Sequence, residues 1–296
     1  MATRRVRIVC ISDTHNQTPK LPAGDILVHA GDLTNQGSYA ELKKMVEWLE
    51  KSEFETKIVV AGNHDTTLDS PFFHSNQNKW KWPSHQDPSE CRNLLMNAPS
   101  ITYLEHSSTM ISIISPTGQE TRLKVFGSPY SPGRRGWAFQ YSDDADAENL
   151  WGAIEDDVDI VVTHTPARGH CDTTVNSEMA GCEVLKRRLE VMRPMLHVCG
   201  HIHDGRGVER VRWGECLDEP ERSSLEHIEY WKDPGRGNKK ISLVDLTAKG
   251  TMKLDKGNET CIVNAAILGA REVGKAMVVN KPIVVDIEVP VQECPD

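Results

Sequence analysis

Five apolar runs in this chain end on side chains able to bind a metal. After Val9-Cys10-Ile11 come Asp13 and His15; after Ile26-Leu27-Val28 come His29, Gly31 and Asp32. Ile58-Val59-Val60 is followed by Gly62, Asn63, His64 and Asp65. Ile160-Val161-Val162 leads to His164, and Leu196-His197-Val198-Cys199 leads to Gly200, His201 and His203. Carboxylate, imidazole and amide oxygen suit Mn²⁺, Fe²⁺ or Zn²⁺. A carboxylate such as Asp32 can bridge two ions, and two ions about 3.5–4 Å apart can clamp the attacking and leaving oxygens of a phosphoryl displacement. In an extended segment Asp13 and His15 would face the same way and meet one ion. His201 and His203 could do likewise, or divide between two ions. Glycines at 31, 62 and 200 would let the backbone turn and approach the metals closely. Any one His or Asp at a strand end is usually a turn former or cap. Five strand ends all carrying ligand types are a different matter. His29 and His197 read as structural histidines.

These groups need strands to carry them. Val6 to Ile11, Asp25 to Ala30, Lys57 to Ala61, Leu123 to Phe126, Asp159 to Val162, Leu196 to Cys199 and Ile283 to Ile287 are short, Val/Ile-rich and nearly continuous. That pattern predicts strands of sheets covered on both faces. Leu42, Met45, Val46 and Leu49 have helical spacing, as do Cys182, Leu185, Leu189 and Met192 before Pro194. Strand and helix in alternation imply a layered α/β fold, whose ligand sites lie beyond the carboxyl ends of the strands. Residues 1–296 are expected to form a single domain with two insertions. The first, at about 70–100, reads as a long loop with short helical pieces. The second, at 214–259, reads as too polar to add much core.

A net charge of −9 without a long basic run disfavours extended nucleic-acid binding. The cysteines lack any C-x-x-C pair, and no secretory leader or membrane-spanning run is visible, so a cytoplasmic protein is expected. Gly269-Ala270-Arg271-Glu272-Val273-Gly274-Lys275 fits the phosphate-binding pattern G-x-x-x-x-G-K, but Ala276 stands where a Ser or Thr would be needed. It is read instead as a hairpin-like connection before the last strand. The loop from Ser128 to Trp137 offers Arg134, Arg135 and aromatic rings to a phosphate and a base, or else is a solvated turn with Trp137 anchored inward. Arg168 and Arg206, near His164 and His203, are further substrate-binding candidates.

Asp13-x-His15, Gly31-Asp32, Gly62-Asn63-His64-Asp65, Thr163-His164 and Gly200-His201-x-His203, in that order, resemble the signature of the calcineurin-like metallophosphoesterases. Ile11 to His15, His29 to Thr34, Gly127-Ser128-Pro129 and Val263-Asn264-Ala265 are similar to the metallophosphoesterase-domain-containing branch of that family, related to animal brain proteins. The resemblance covers residues 5 to 290 apart from the segment 214–259. It implies a four-layer α/β/β/α sandwich with a dimetal site at the sheet ends. Carried over, it places Asp13, His15 and His203 on one metal, Asp32 as the bridge, and Asn63, His164 and His201 on the other. His64 would stand beside the leaving group as a catalytic acid.

Two divalent ions are implied as cofactors, manganese first, with iron, zinc or magnesium as alternatives. The implied activity is a phosphodiesterase on a small or cyclic nucleotide, through attack of a hydroxide held between the ions. The substrate would be a small phosphoester, the protein a monomer or homodimer. A metal- and nucleotide-binding scaffold with little turnover, or a metal-dependent enzyme on a non-phosphate substrate, remains open. The chain departs from the family pattern at Asp65, where Glu is frequent, and in the loop Thr163 to Arg168.

Overall fold

The computed structural model describes residues 2–82, 84–115, 118–133, 136–214, 226–269 and 278–291. The chain begins with β1 (Thr3–Ile11), β2 (Ile26–Ala30), α1 (Tyr39–Glu50) and β3 (Thr56–Val60). Next come α2 (Ser70–Ser75), α3 (Pro88–Met96), β4 (Ile101–Tyr103), β5 (Ser107–Ile114) and β6 (Glu120–Ser128). They are followed by β7 (Ser131–Pro132), β8 (Gln140–Tyr141), α4 (Asp144–Gly152), β9 (Ile160–Thr163), α5 (Glu183–Met192) and β10 (Leu196–Cys199). The last elements are β11 (Gly207–Arg212), β12 (His227–Tyr230), β13 (Ser242–Asp245), β14 (Glu259–Asn264) and β15 (Ile283–Pro290).

Two sheets carry the fold: six strands in the order β13-β15-β1-β2-β3-β4, and seven in the order β12-β11-β14-β10-β9-β6-β5. Their alternation explains the continuous apolar runs. On β1, Val6, Ile8 and Cys10 face the other sheet, meeting Val125, Val162, Val198 and Val263 in the inter-sheet core. Val9 and Ile11 point the opposite way, towards Leu42, Met45 and Leu49 of α1 and Leu95 of α3. On the far side, Phe126, Val161 and Ile262 pack against Trp151 of α4 and Leu185 and Leu189 of α5. The result is the expected α/β/β/α sandwich.

Local chemistry sets the helix ends. At α1, Ser38 and Glu41 form a reciprocal capping box. Cys182 caps α5 by accepting the Leu185 N–H, 3.4 Å away, and is itself buried with Leu185 and Leu189 at the head of that helix's apolar stripe.

The stretch 70–100 is a loop with two short helical pieces, α2 and α3, as its interrupted text implied. Asp87 caps α3 by accepting from Ser89 and Glu90, Pro88 opens it, and Cys91 and Leu95 are buried. The expectation that 214–259 adds little core is overturned. Strand β12 pairs with β11, β13 pairs with β15, and Val244, Leu246 and Met252 enter the inter-sheet core. Both are four-residue edge strands; β12 buries none of its residues fully and β13 only alternate ones, so their apolar signal is short and diluted. The hairpin-like reading of 269–275 falls mostly outside the described residues; at its ends, Gly269 N–H donates to Val278 O at 2.8 Å and Leu268 bridges Val279 antiparallel.

Candidate metal centre

The parallel strands β1, β2 and β3 end beside the parallel strands β9 and β10 of the other sheet, and the backbone joins the sheets there. Ser12 N–H donates to Ala265 O at 3.0 Å, and Ile267 N–H to Ser12 O at 2.8 Å. Around this seam the ligand atoms of Asp13, His15 and His203 lie within 4.8 Å of one another, as do those of Asp13, Asp32 and His164. Asp32 turns one oxygen towards His164 Nε2 (3.5 Å) and the other towards His15 Nε2 (3.6 Å). Asn63 Oδ1 is 3.0 Å from His164 Nε2, and the His201 ring is 4.9 Å from that of His164. The H-x-H pair therefore divides, with His203 beside Asp13 (3.2 Å) and His201 beside His164. His29 and His197 stay out of both groups, with Nε2 at 2.9 Å from Thr14 Oγ1 and at 2.8 Å from Thr163 Oγ1 respectively.

Strand alternation does not bring Asp13 and His15 together. Strand β1 stops at Ile11, and φ is 52° at Asp13, 43° at His15, 54° at Asp32 and 66° at His201. Left-handed backbone at residues other than glycine is costly and concentrates at functional sites. Gly31 also has positive φ, at 100°. Gly62 serves close approach instead: a Cβ there would lie 2.3 Å from Asp32 Oδ1 and 2.8 Å from His164 Cε1.

Hydrogen bonds behind the ligands aim them. His164 Nδ1 donates to Ala30 O (2.9 Å) and His15 Nδ1 to Thr34 O (3.1 Å), leaving each Nε2 free to face the site. Asp32 Oδ1 accepts the His64 N–H (2.8 Å), and Asp13 accepts the His201 N–H (3.0 Å). Two supports escaped the sequence reading. Buried Asp65 accepts from the backbone of Gly62, Leu33 and Thr34 and from the Thr34 hydroxyl, tying the Asp32 and Asn63 loops together. Asn264 donates to Cys171 O and Ile202 O, fixing the H-x-H loop. Their signal was there, in the Gly62-to-Asp65 and Val263-to-Ala265 motifs, but hydrogen bonds to backbone leave no spacing to read.

Burial would raise the Asp13 carboxyl, yet the His203 hydrogen bond and nearby imidazoles hold it well below the usual range. Burial would also raise Asp32, but His164, His64 and His15 bring it down. Burial lowers His15, and lowers His201 to about 4 with help from His164. Burial opposes the charge of His203 as well, but Asp13 lifts it to about 9. Two carboxylates held anionic, beside His15 and His201 whose imidazoles burial keeps from protonating, form a donor set that fits divalent cations. Holding a cation at Asp13 and His203 would displace the proton that the Asp13 carboxylate favours on His203.

The substrate-binding expectations fare differently. Arg134 and Arg135 lie outside the described residues. Arg168 is exposed; its guanidinium donates to Met179 O (3.1 Å) and sits 3.9 Å from Glu183. Arg206 is spent on Asp233 and Lys281 O. Trp137, open between two readings, stacks on His64 with ring centroids 4.1 Å apart.

A two-sheet sandwich with a carboxylate–imidazole–amide cluster on the seam of its strand ends defines a metallophosphoesterase. A family model described as calcineurin-like phosphoesterase matches residues 6–205, and the chain belongs to that family, whose members are metal-dependent phosphoester hydrolases. The chain is 42% identical over 213 residues to the probable rhamnogalacturonate lyase C of Emericella nidulans, a match covering 71% of this chain but 18% of that protein. It is 36% identical over 210 residues to metallophosphoesterase domain-containing protein 1 of Homo sapiens, covering 68% of this chain and 62% of that one. A UPF0046 protein of Caenorhabditis elegans is 34% identical over 214 residues, covering 70% and 66%. Among the described residues no helix is long and apolar enough to cross a membrane.

Proposed function

We propose that this chain hydrolyses small phosphodiesters, nucleotides and cyclic nucleotides among them. Asp13, His15 and His203 would hold one divalent ion and Asn63, His164 and His201 a second, with Asp32 shared. The observation that carries this reading is Asp32, whose two oxygens face imidazoles of different groups. When bound, manganese or a similar ion supplies Lewis-acid polarisation of the phosphoryl oxygens. The protein's own part in proton transfer falls to His64. Its Nδ1 donates to Asn35 O at 2.8 Å, so in the doubly protonated ring Nε2–H is the group left to give a proton to a leaving oxygen. His15 meets the ring edge-on at 4.8 Å and Trp137 covers its face, which fixes its orientation. The test is hydrolysis of bis(p-nitrophenyl) phosphate and of cyclic nucleotides with Mn²⁺ supplied, alongside metal analysis of the purified protein. Turnover that chelation abolishes and Mn²⁺ restores is expected; turnover indifferent to chelator, or none with two metals bound, would refute it.

A further inference from the structure

Beside His64 stands a group of large aromatic rings, of which only Trp137, through its stack on His64, has so far been given a role. Trp137 stacks on His64 at 30° between planes; Trp80 lies 5.8 Å from Trp137, and Phe72 lies 5.6 Å from Trp80. All three rings are only partly buried. They come from two distant segments that are fastened together. Asp69 accepts the Phe72 N–H on one oxygen (3.0 Å) and the Phe139 N–H on the other (2.7 Å). From the first segment, Lys79 donates to Gly136 O, and its ammonium sits over Trp80 (4.9 Å) and Trp137 (5.6 Å).

We infer that this shelf is a nucleobase-binding subsite, with Trp80 the residue that selects for the base. Successive partly exposed rings are the usual platform for stacking bases, since every base has a π face. The shelf's charge favours a base over a hydrocarbon. Lys79 brings an ammonium over Trp80 and Trp137. Ring nitrogens and carbonyls of a base could accept from its remaining N–H groups, whereas an aliphatic group offers them no acceptor. The shelf begins at His64, so a ligand stacked on it directs its phosphate towards the metal centre. In that orientation the inference rests on the phosphoesterase reading above.

AMP and ribose 5-phosphate share sugar and phosphate and differ in the base, so their relative affinity isolates the shelf. With Mn²⁺ supplied, tryptophan fluorescence titration should show AMP bound about 10- to 100-fold more tightly, the worth of a base–aromatic stack. Trp80→Ala should bring that ratio close to one, and Trp80→Phe, which keeps a ring, should retain most of it. Equal affinities in the wild type, no binding of AMP, or an unchanged ratio in Trp80→Ala would overturn the proposal. Should Trp80→Ala lose its near-UV circular dichroism, the wild-type ratio and Trp80→Phe still decide. Because binding is measured, the two readings fail separately. A retained ratio without hydrolysis sinks only the phosphodiesterase, while hydrolysis of bis(p-nitrophenyl) phosphate with a ratio of one sinks only the shelf.

Discussion

His170 should make stability fall as pH rises above neutrality. It is almost fully buried between two carboxylates, with Nδ1 3.1 Å from Glu209 and Nε2 3.2 Å from Glu226, which Lys186 holds at 2.7 Å. Burial disfavours the imidazolium, but the two carboxylates outweigh it and lift His170 from 6.5 to about 9. His197, its neighbour in charge, is held at about 3 by burial and does not titrate in this window. At about 1.4 kcal/mol per unit, the shift sets a ceiling on the order of 3 kcal/mol. Because the folded value lies above the unfolded one, this contribution is fully present below pH 6.5 and is lost as pH rises through 9. Urea unfolding of the wild type and of His170→Gln, at steps between those pH values, isolates it. The stability difference between the two proteins should shrink with pH, whatever other groups titrate. Parallel stability curves would show that His170 is neutral when folded and refute the reasoning.

Other perturbations test the centre and the fold. Asp32→Asn removes the negative charge that would let two cations sit close together, so it should cost at least one metal equivalent, by metal analysis, and nearly all activity. His64→Asn should keep both metals yet lose on the order of 10²–10⁴ in kcat. That deficit should shrink for a nitrophenyl ester, whose leaving oxygen needs little protonation; equal losses on good and poor leaving groups would refute the acid role. Replacing residues 227–245 with a Gly/Ser linker removes two edge strands and Val244 from the core, so urea unfolding should lose cooperativity.

The candidate ligand residues were legible because each follows a buried strand, and buried strands announce themselves as apolar runs. The strands ending at Ile11, Ala30, Val60, Thr163 and Cys199 are wholly buried over their last residues. Strand β11 was not legible: its Gly207-Val208-Glu209-Arg210-Val211-Arg212 carries a buried glutamate whose partner, His170, is remote in sequence. The left-handed turns at Asp13 and Asp32 were equally hidden, since nothing in the residue types there requires positive φ. Tertiary hydrogen bonds, such as those of Asp65, hold these turns in place, and a linear text does not display them.

The seam between the sheets has a consequence for how the protein assembles. Asp13, His15, Asp32 and Asn63 ride on one sheet, and His164, His201 and His203 on the other. Neither half alone presents the full set, so an ion gripped by both works as a rivet through two plates. Asp13 and His203 are 190 residues apart in sequence, so only the folded chain brings them together. During refolding, metal capture should wait until the plates have docked, so the moment of uptake would time that docking. Once riveted, the layers should separate more slowly, and chelator added to the native protein should speed their parting.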